Sequence, residues 1–192
     1  MLYHSYGSVP GMEALADYVH TLEKGEKKPG WGKVVRLVFC AAFILDVGGS
    51  LNKALGGKPL PWFQISGDEV TPATPHQIFY NDLEPSVSEP YISALKPHSH
   101  PTFFSELTVA PWKVIPSTYV VCENDEAIPL HTQEGMIAMA QGVVERSFDT
   151  VERCAASHSP FISMPEWLCS VLIKAAGGEV NGVENENGNL HI

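Results

Sequence analysis

The run Val34-Val35-Arg36-Leu37-Val38-Phe39-Cys40-Ala41-Ala42-Phe43 is apolar almost without a break and rich in β-branched residues. A strand with one wet face alternates apolar and polar residues. This one does not, so residues 33–43 predict a strand covered on both faces, as in a parallel sheet. Gly48-Gly49 ends it. A second run of the same kind, Ser117-Thr118-Tyr119-Val120-Val121-Cys122, follows Pro116 and leads into the acidic turn Glu123-Asn124-Asp125-Glu126. Residues 147–154 form a shorter, more polar stretch suited to a sheet edge.

Helical spacing fills the intervals. Met12, Leu15, Ala16, Val19 and Leu22 make one stripe over residues 9–24, with Pro10 tolerable in the first turn. Met136, Ile137, Met139 and Ala140 mark a helix over 131–144. A last helix spans 164–176, with Ser163 as its expected cap, Pro165 early and Glu166 beside the positive end. Residues 25–32 are a polar break holding Lys27-Lys28 and Trp31, the latter read as a hydrophobic anchor. Residues 51–108 differ in texture. Prolines recur and aromatics are scattered among them, with short helices expected at 74–80 and 86–95. The stretch is too punctuated for its own core and reads as an inserted helical cap. Residues 177–192, rich in Gly, Asn and Glu, read as a flexible tail. The expected organisation is a single α/β domain over 1–176, with a mostly parallel sheet and flanking helices.

Charge narrows the partners. The net charge is −10 with no basic run beyond Lys27-Lys28, which disfavours nucleic acid. A hydrophobic content of 44% suits a packed globule, and no segment has the length of a membrane span. Met1-Leu2-Tyr3 cannot act as a signal peptide. Cys40, Cys122, Cys154 and Cys169 match no zinc spacing and read as reduced core residues of a cytoplasmic protein.

Reactive groups in such sheets gather at the carboxyl ends of strands. Three stand there. Ser5, in Tyr3-His4-Ser5-Tyr6-Gly7, sits between a short apolar start and a helix, where a sharp turn would expose its hydroxyl. Gly7 fills the last position of the Gly-x-Ser-x-Gly pattern, while Tyr3 stands in place of the first glycine. Asp125 follows the second strand and His158 the third. Each has a plainer reading: Ser5 or Ser8 as a helix cap, Asp125 as a turn residue, His158 as a loop histidine. Their order, alcohol then acid then imidazole, is that of a base-activated nucleophile on a sheet of this type, and together they favour the chemical reading.

His98-Ser99-His100, with His76 nearby, alternates like metal ligands, yet no Cys or carboxylate accompanies them at ligand spacing, so no metal and no cofactor are expected. Trp62, Phe79 and Tyr80, with Phe103 and Phe104, are candidates to line a small-molecule pocket or to pack the cap. His4 reads as structural, and the Gly48-Gly49 and Gly56-Gly57 pairs lack the context of phosphate loops.

His4-Ser5-Tyr6-Gly7, Val9-Pro10-Gly11, Ile115-Pro116-Ser117-Thr118-Tyr119, Cys122-Glu123-Asn124-Asp125 with Ala127-Ile128-Pro129, and Ser157-His158-Ser159-Pro160-Phe161 resemble the fungal branch of the α/β-hydrolase superfamily. More distantly they are similar to plant methylesterases and hydroxynitrile lyases. The resemblance implies Ser5 as nucleophile, Asp125 as acid, His158 as base, the Tyr6 amide as an oxyanion donor, and a cap over an acyl or alcohol pocket. It points to small esters, thioesters or lactones in secondary metabolism. The same site could instead serve a lyase or cyclase. Members of the family are longer at the N-terminus, where further strands and a second oxyanion amide lie. The chain is therefore expected to be truncated, with little cover over the 33–43 strand and the 12–22 helix, a nearly absent strand before Ser5, reduced or no activity, and an exposed sheet edge that favours homo-oligomers.

Overall fold

The computed structural model describes residues 1–26, 29–30, 32–180, 183–184 and 190–191. Lys27, Lys28, the expected anchor Trp31 and most of the tail beyond residue 180 lie outside that set.

Four parallel strands form the central sheet in the order β1 (Leu2–Ser5), β2 (Leu37–Ala42), β6 (Ser117–Cys122), β7 (Thr150–Cys154). Every residue of β2 and β6 is buried, as their unbroken apolar character requires. Alternate residues serve opposite cores. Leu37, Phe39, Tyr119 and Val121 pack with Met12, Val19 and Ile137, which come from α1 (Ser8–Glu13), α2 (Ala16–Glu23) and α6 (Leu130–Val143). Val38, Cys40, Val120 and Cys122 face the other way, onto Leu168 and Val171 of α8 (Pro165–Ala175). β7 is half-exposed at one edge, as its polarity suggests.

Several boundaries differ from expectation. β2 starts at Leu37 rather than at residue 33, because its ladder partners begin at Leu2 and Ser117 and leave Val35 in solvent. The 9–24 stripe is two helices. The Leu15 amide bonds to the Met12 carbonyl, a tight turn that breaks the helix between Ala14 and Leu15. The strand before Ser5 is formed, four residues long and fully laddered to β2, and the stripe is covered at Met12, Leu15 and Val19, with only Leu22 exposed. Ser163 does not cap α8. It ends a separate turn, α7 (Pro160–Ser163), and Met164 occupies the cap position with no side-chain bond. Cys40, Cys122 and Cys154 are buried free thiols, whereas Cys169 is exposed on the outer side of α8.

The insertion between β2 and β6 holds α4 (Pro75–Phe79) and α5 (Pro85–Ala94), close to the helices expected, and a further short helix, α3 (Leu51–Ala54). It also holds a small antiparallel sheet that periodicity did not announce: β3 (Phe63–Ser66), β4 (Glu69–Pro72) and β5 (His98–Ser99). Gly67 turns the β3–β4 hairpin at φ 59°, a conformation that glycine adopts without strain. In the tail, β8 (Val183–Glu184) pairs antiparallel with β9 (Leu190–His191).

The buried Tyr119 hydroxyl binds the end of β2. It donates to the Ala42 carbonyl at 2.9 Å and accepts from the Ala42 amide at 3.2 Å. Ala42 is also the register partner of Ser5. Tyr119→Phe leaves both Ala42 groups unpaired in the core. The expected loss is about 1–3 kcal/mol of unfolding free energy by urea titration; an unchanged midpoint would refute that role for the hydroxyl.

Candidate active site

Strand β1 ends on a strained turn. Ser5 has φ 53°, in the left-handed region that side-chain-bearing residues avoid, and the β1–β2 register slips between His4 and Ser5. The turn closes through the Gly7 amide on the His4 carbonyl at 2.9 Å, and a Cβ on Gly7 would lie 2.9 Å from that oxygen. The Ser8 hydroxyl lies within bonding reach of the Ser5 and Phe43 carbonyls, at 3.0 and 2.8 Å. Neither serine caps α1, whose cap position is Gly7 with no side-chain bond. The plainer reading of Ser5 and Ser8 as caps is therefore not what this turn does.

Beyond β6 the chain turns at Asp125. Its Oδ1 accepts from the Ala127 and Ile128 amides at 2.7 and 2.9 Å, which locks the carboxylate. Its Oδ2 faces Nδ1 of His158 at 2.8 Å, with both side chains essentially buried. An ionised carboxylate can only accept, so Nδ1 carries the proton and Nε2 offers a lone pair. That nitrogen is 2.9 Å from the Ser5 hydroxyl. The three residues chosen from sequence, Ser5, Asp125 and His158, thus converge in one hydrogen-bonded line, from alcohol to imidazole to carboxylate. Such a line can withdraw a proton from the alcohol and hold the resulting imidazolium.

His4 is placed beside it. Its Nε2–H donates to the His158 carbonyl at 2.8 Å, and the two ring centroids lie 4.6 Å apart with the planes tilted by 48°. Burial, and then the neighbouring His158, hold the His4 imidazole down at about 3, against an ordinary 6.5. It is therefore a neutral brace, in line with its structural reading.

The Ser5 hydroxyl opens onto a cavity of about 200 Å³ between the central sheet and the insertion that separates β2 from β6. Trp62 and Phe79 line it, together with Phe103 and Tyr6. Tyr80 does not. It is buried behind Phe79 and packs on Tyr91. Phe104 is half exposed and lines a different groove, beside α3. The Tyr6 amide finds no protein acceptor among the described residues, and its hydroxyl donates to the Thr102 carbonyl at 2.7 Å. Sequence reasoning missed Phe43, Leu51, Val70 and His98 as lining residues. Phe43 reads as part of a buried strand, and nothing local marks Leu51 or Val70. His98, considered as a metal ligand, instead packs edge-on to Tyr6 at 4.7 Å, while His76 bonds to the Ser88 hydroxyl at 2.9 Å. Among the described residues no three His, Cys, Asp or Glu side chains are grouped to hold a metal, and no helix is long and apolar enough to cross a membrane.

Comparison with known proteins agrees with this architecture. Residues 1–171 match the alpha/beta hydrolase family. The alpha/beta hydrolase nvfD of Aspergillus novofumigatus is 31% identical over 91% of this chain and 68% of its own length. The probable hydrolase R7 of a Phoma species is 33% identical over the same shares. Among solved structures, polyneuridine aldehyde esterase superposes with a TM-score of 0.66 at 16% identity, over 91% of this chain and 70% of that one. A pyrethroid hydrolase from Sphingobium faniae gives 0.65 at 20% identity, over 92% and 69%.

The neutral His4 makes stability depend on pH. Its folded value is depressed, so the unfolded state takes up a proton that the folded state refuses as pH falls from about 6.5 towards about 3. Between pH 7.5 and pH 5 the wild type is expected to lose about 2 kcal/mol of unfolding free energy that His4→Gln does not lose. Equal losses in the two proteins, by urea titration at both pH values, would exclude His4 as the source.

Proposed function

The chain belongs to the alpha/beta hydrolase family, and on that footing we propose that it is a serine hydrolase of small esters, thioesters or lactones. In this reading Ser5 is the nucleophile, His158 the general base and Asp125 the group that orients the base. The supporting observation is the unbroken line of hydrogen bonds from Ser5 Oγ through His158 to Asp125, 2.9 and 2.8 Å long, opening on an apolar cavity.

The steps follow from which atom holds a proton. Nε2 of His158 takes the Ser5 proton as Oγ attacks the substrate carbonyl, and Asp125 stabilises the imidazolium that forms. The tetrahedral oxyanion turns towards the free Tyr6 amide. Nε2 returns the proton to the leaving alcohol or thiol. The acyl group stays on Ser5 until the same nitrogen activates a water to release it. The strained backbone at Ser5 keeps the hydroxyl clear of its own strand. Trp62, Phe79 and Phe103 give the acyl or alcohol part an apolar wall, and about 200 Å³ suits a group of a few carbons rather than a long chain. Residues 51–108 act as the cap that encloses it, within one domain over 1–176. A place among fungal secondary-metabolite enzymes is part of the same proposal and accords with the two fungal relatives.

A fluorophosphonate probe is expected to label the folded protein at Ser5, and p-nitrophenyl acetate to be hydrolysed. Ser5→Ala should abolish both, and Asp125→Asn should cut kcat by about 10⁴-fold, because the wrong nitrogen of His158 then carries the proton. Labelling without hydrolysis would favour lyase or cyclase chemistry at the same site. No labelling of folded protein would overturn the proposal.

A further inference from the structure

His158 lies on a loop, residues 155–158, that follows β7 with no helix or strand of its own to hold it. Outside elements grip it at three places. Asn124, on the turn of Asp125, bonds the Ala156 carbonyl through its amide N–H at 3.1 Å and the Ala155 carbonyl through Nδ2 at 2.8 Å. His4 bonds the His158 carbonyl from β1. The third grip comes from the cap. The Ser157 amide donates to Asp82 Oδ2 at 2.9 Å, and the Ser157 hydroxyl donates to the Phe79 carbonyl at 3.1 Å. One residue away, Asn81 Nδ2 donates to the Asn124 carbonyl at 3.0 Å. The segment 79–82, between α4 and α5, therefore holds the turn of Asp125 and the loop of His158 together.

We infer that Asp82 is a positioning residue: from the cap it fixes the backbone next to His158 and so keeps Nε2 aimed at Ser5. This rests on the reading of His158 as the base. Ser157 is wholly withdrawn from water, and an amide donor there needs an acceptor. A carboxylate makes that bond charge-assisted and stronger than a neutral acceptor would. Burial pushes the Asp82 carboxyl up, but the hydrogen bonds from Ser157, from the Ser163 hydroxyl and from its own backbone together outweigh it and leave the group below its ordinary value. The same segment ends the cavity wall. Phe79 lines the pocket, and its ring lies 5.5 Å from the His158 ring. Phe79 thus belongs both to the pocket wall and to the segment that holds the His158 loop.

The test compares Asp82→Ala with Asp82→Asn, whose side-chain oxygen can still accept from Ser157. Asp82→Ala should lower kcat on p-nitrophenyl esters, and the rate of fluorophosphonate labelling, by about ten- to a hundred-fold with KM unchanged, the effect of a small misplacement of a reacting group. Asp82→Asn should recover most of the loss. Proton NMR reads the alignment without turnover: the low-field Nδ1–H signal of His158 should exchange faster in Asp82→Ala and be restored in Asp82→Asn. Asp82→Ser, too short to reach the amide, should behave like Asp82→Ala and replaces it should the alanine variant not fold. Wild-type kcat and NMR signal in the alanine or serine variant would overturn the inference. So would losses that track melting temperature and are no smaller in Asp82→Asn. If no variant or wild type reacts with ester or probe while the NMR signal still follows Asp82, the hydrolase reading falls and the positioning role stands.

Discussion

Both faces of β2 and β6 are closed to water, and that requirement organises the molecule. A sheet with no wet face needs a layer of helix on each side, and parallel strands need long crossovers to bring the chain back to the same end. Here α1, α2 and α6 cover one face and α8 the other. Because β1, β6 and β7 all run parallel to β2, Ser5 at the end of β1 and Asp125 and His158 just beyond the ends of β6 and β7 emerge along one rim. Residues far apart in the chain become neighbours because the strands that carry them share a direction.

The sheet brings the rim residues near one another; local bonding sets their geometry. The strained Ser5 turn is held by its own closing bond and by Ser8. The Asp125 carboxylate spends one oxygen on two amides and leaves the other for His158. That division fixes the imidazole tautomer, because a group that only accepts dictates where the proton sits. His4 completes the arrangement from the opposite side, neutral because it is buried and beside another imidazole. Each side chain in the line has an orienting partner, which is what a preorganised proton path requires.

The 51–108 insertion does two things at this site. Its aromatics make the site apolar, which strengthens any hydrogen bond or charge inside it. Its 79–82 stretch is bonded to both loops of the site, so cap and sheet act as one unit at that point. An insertion attached this way is part of the scaffold around the Ser5–His158–Asp125 line rather than a separate cover.

Local pattern in the sequence determined the types of the main elements and the three rim residues. Unbroken apolar runs and helical stripes are written in short windows, which physics reads directly, and the order alcohol, acid, imidazole follows from which strand end each residue succeeds. Boundaries moved where a ladder partner or a tight turn intervened, as at Val35 and Leu15. Only the tertiary structure decided the rest: the antiparallel sheet in the cap, Tyr80 turned away from the cavity, His98 against Tyr6, and Asp82 on the Ser157 amide. Those depend on which distant residue the fold delivers to a given bond. Ser157 lies 75 positions from Asp82, and no periodicity, spacing or composition near either one records the other.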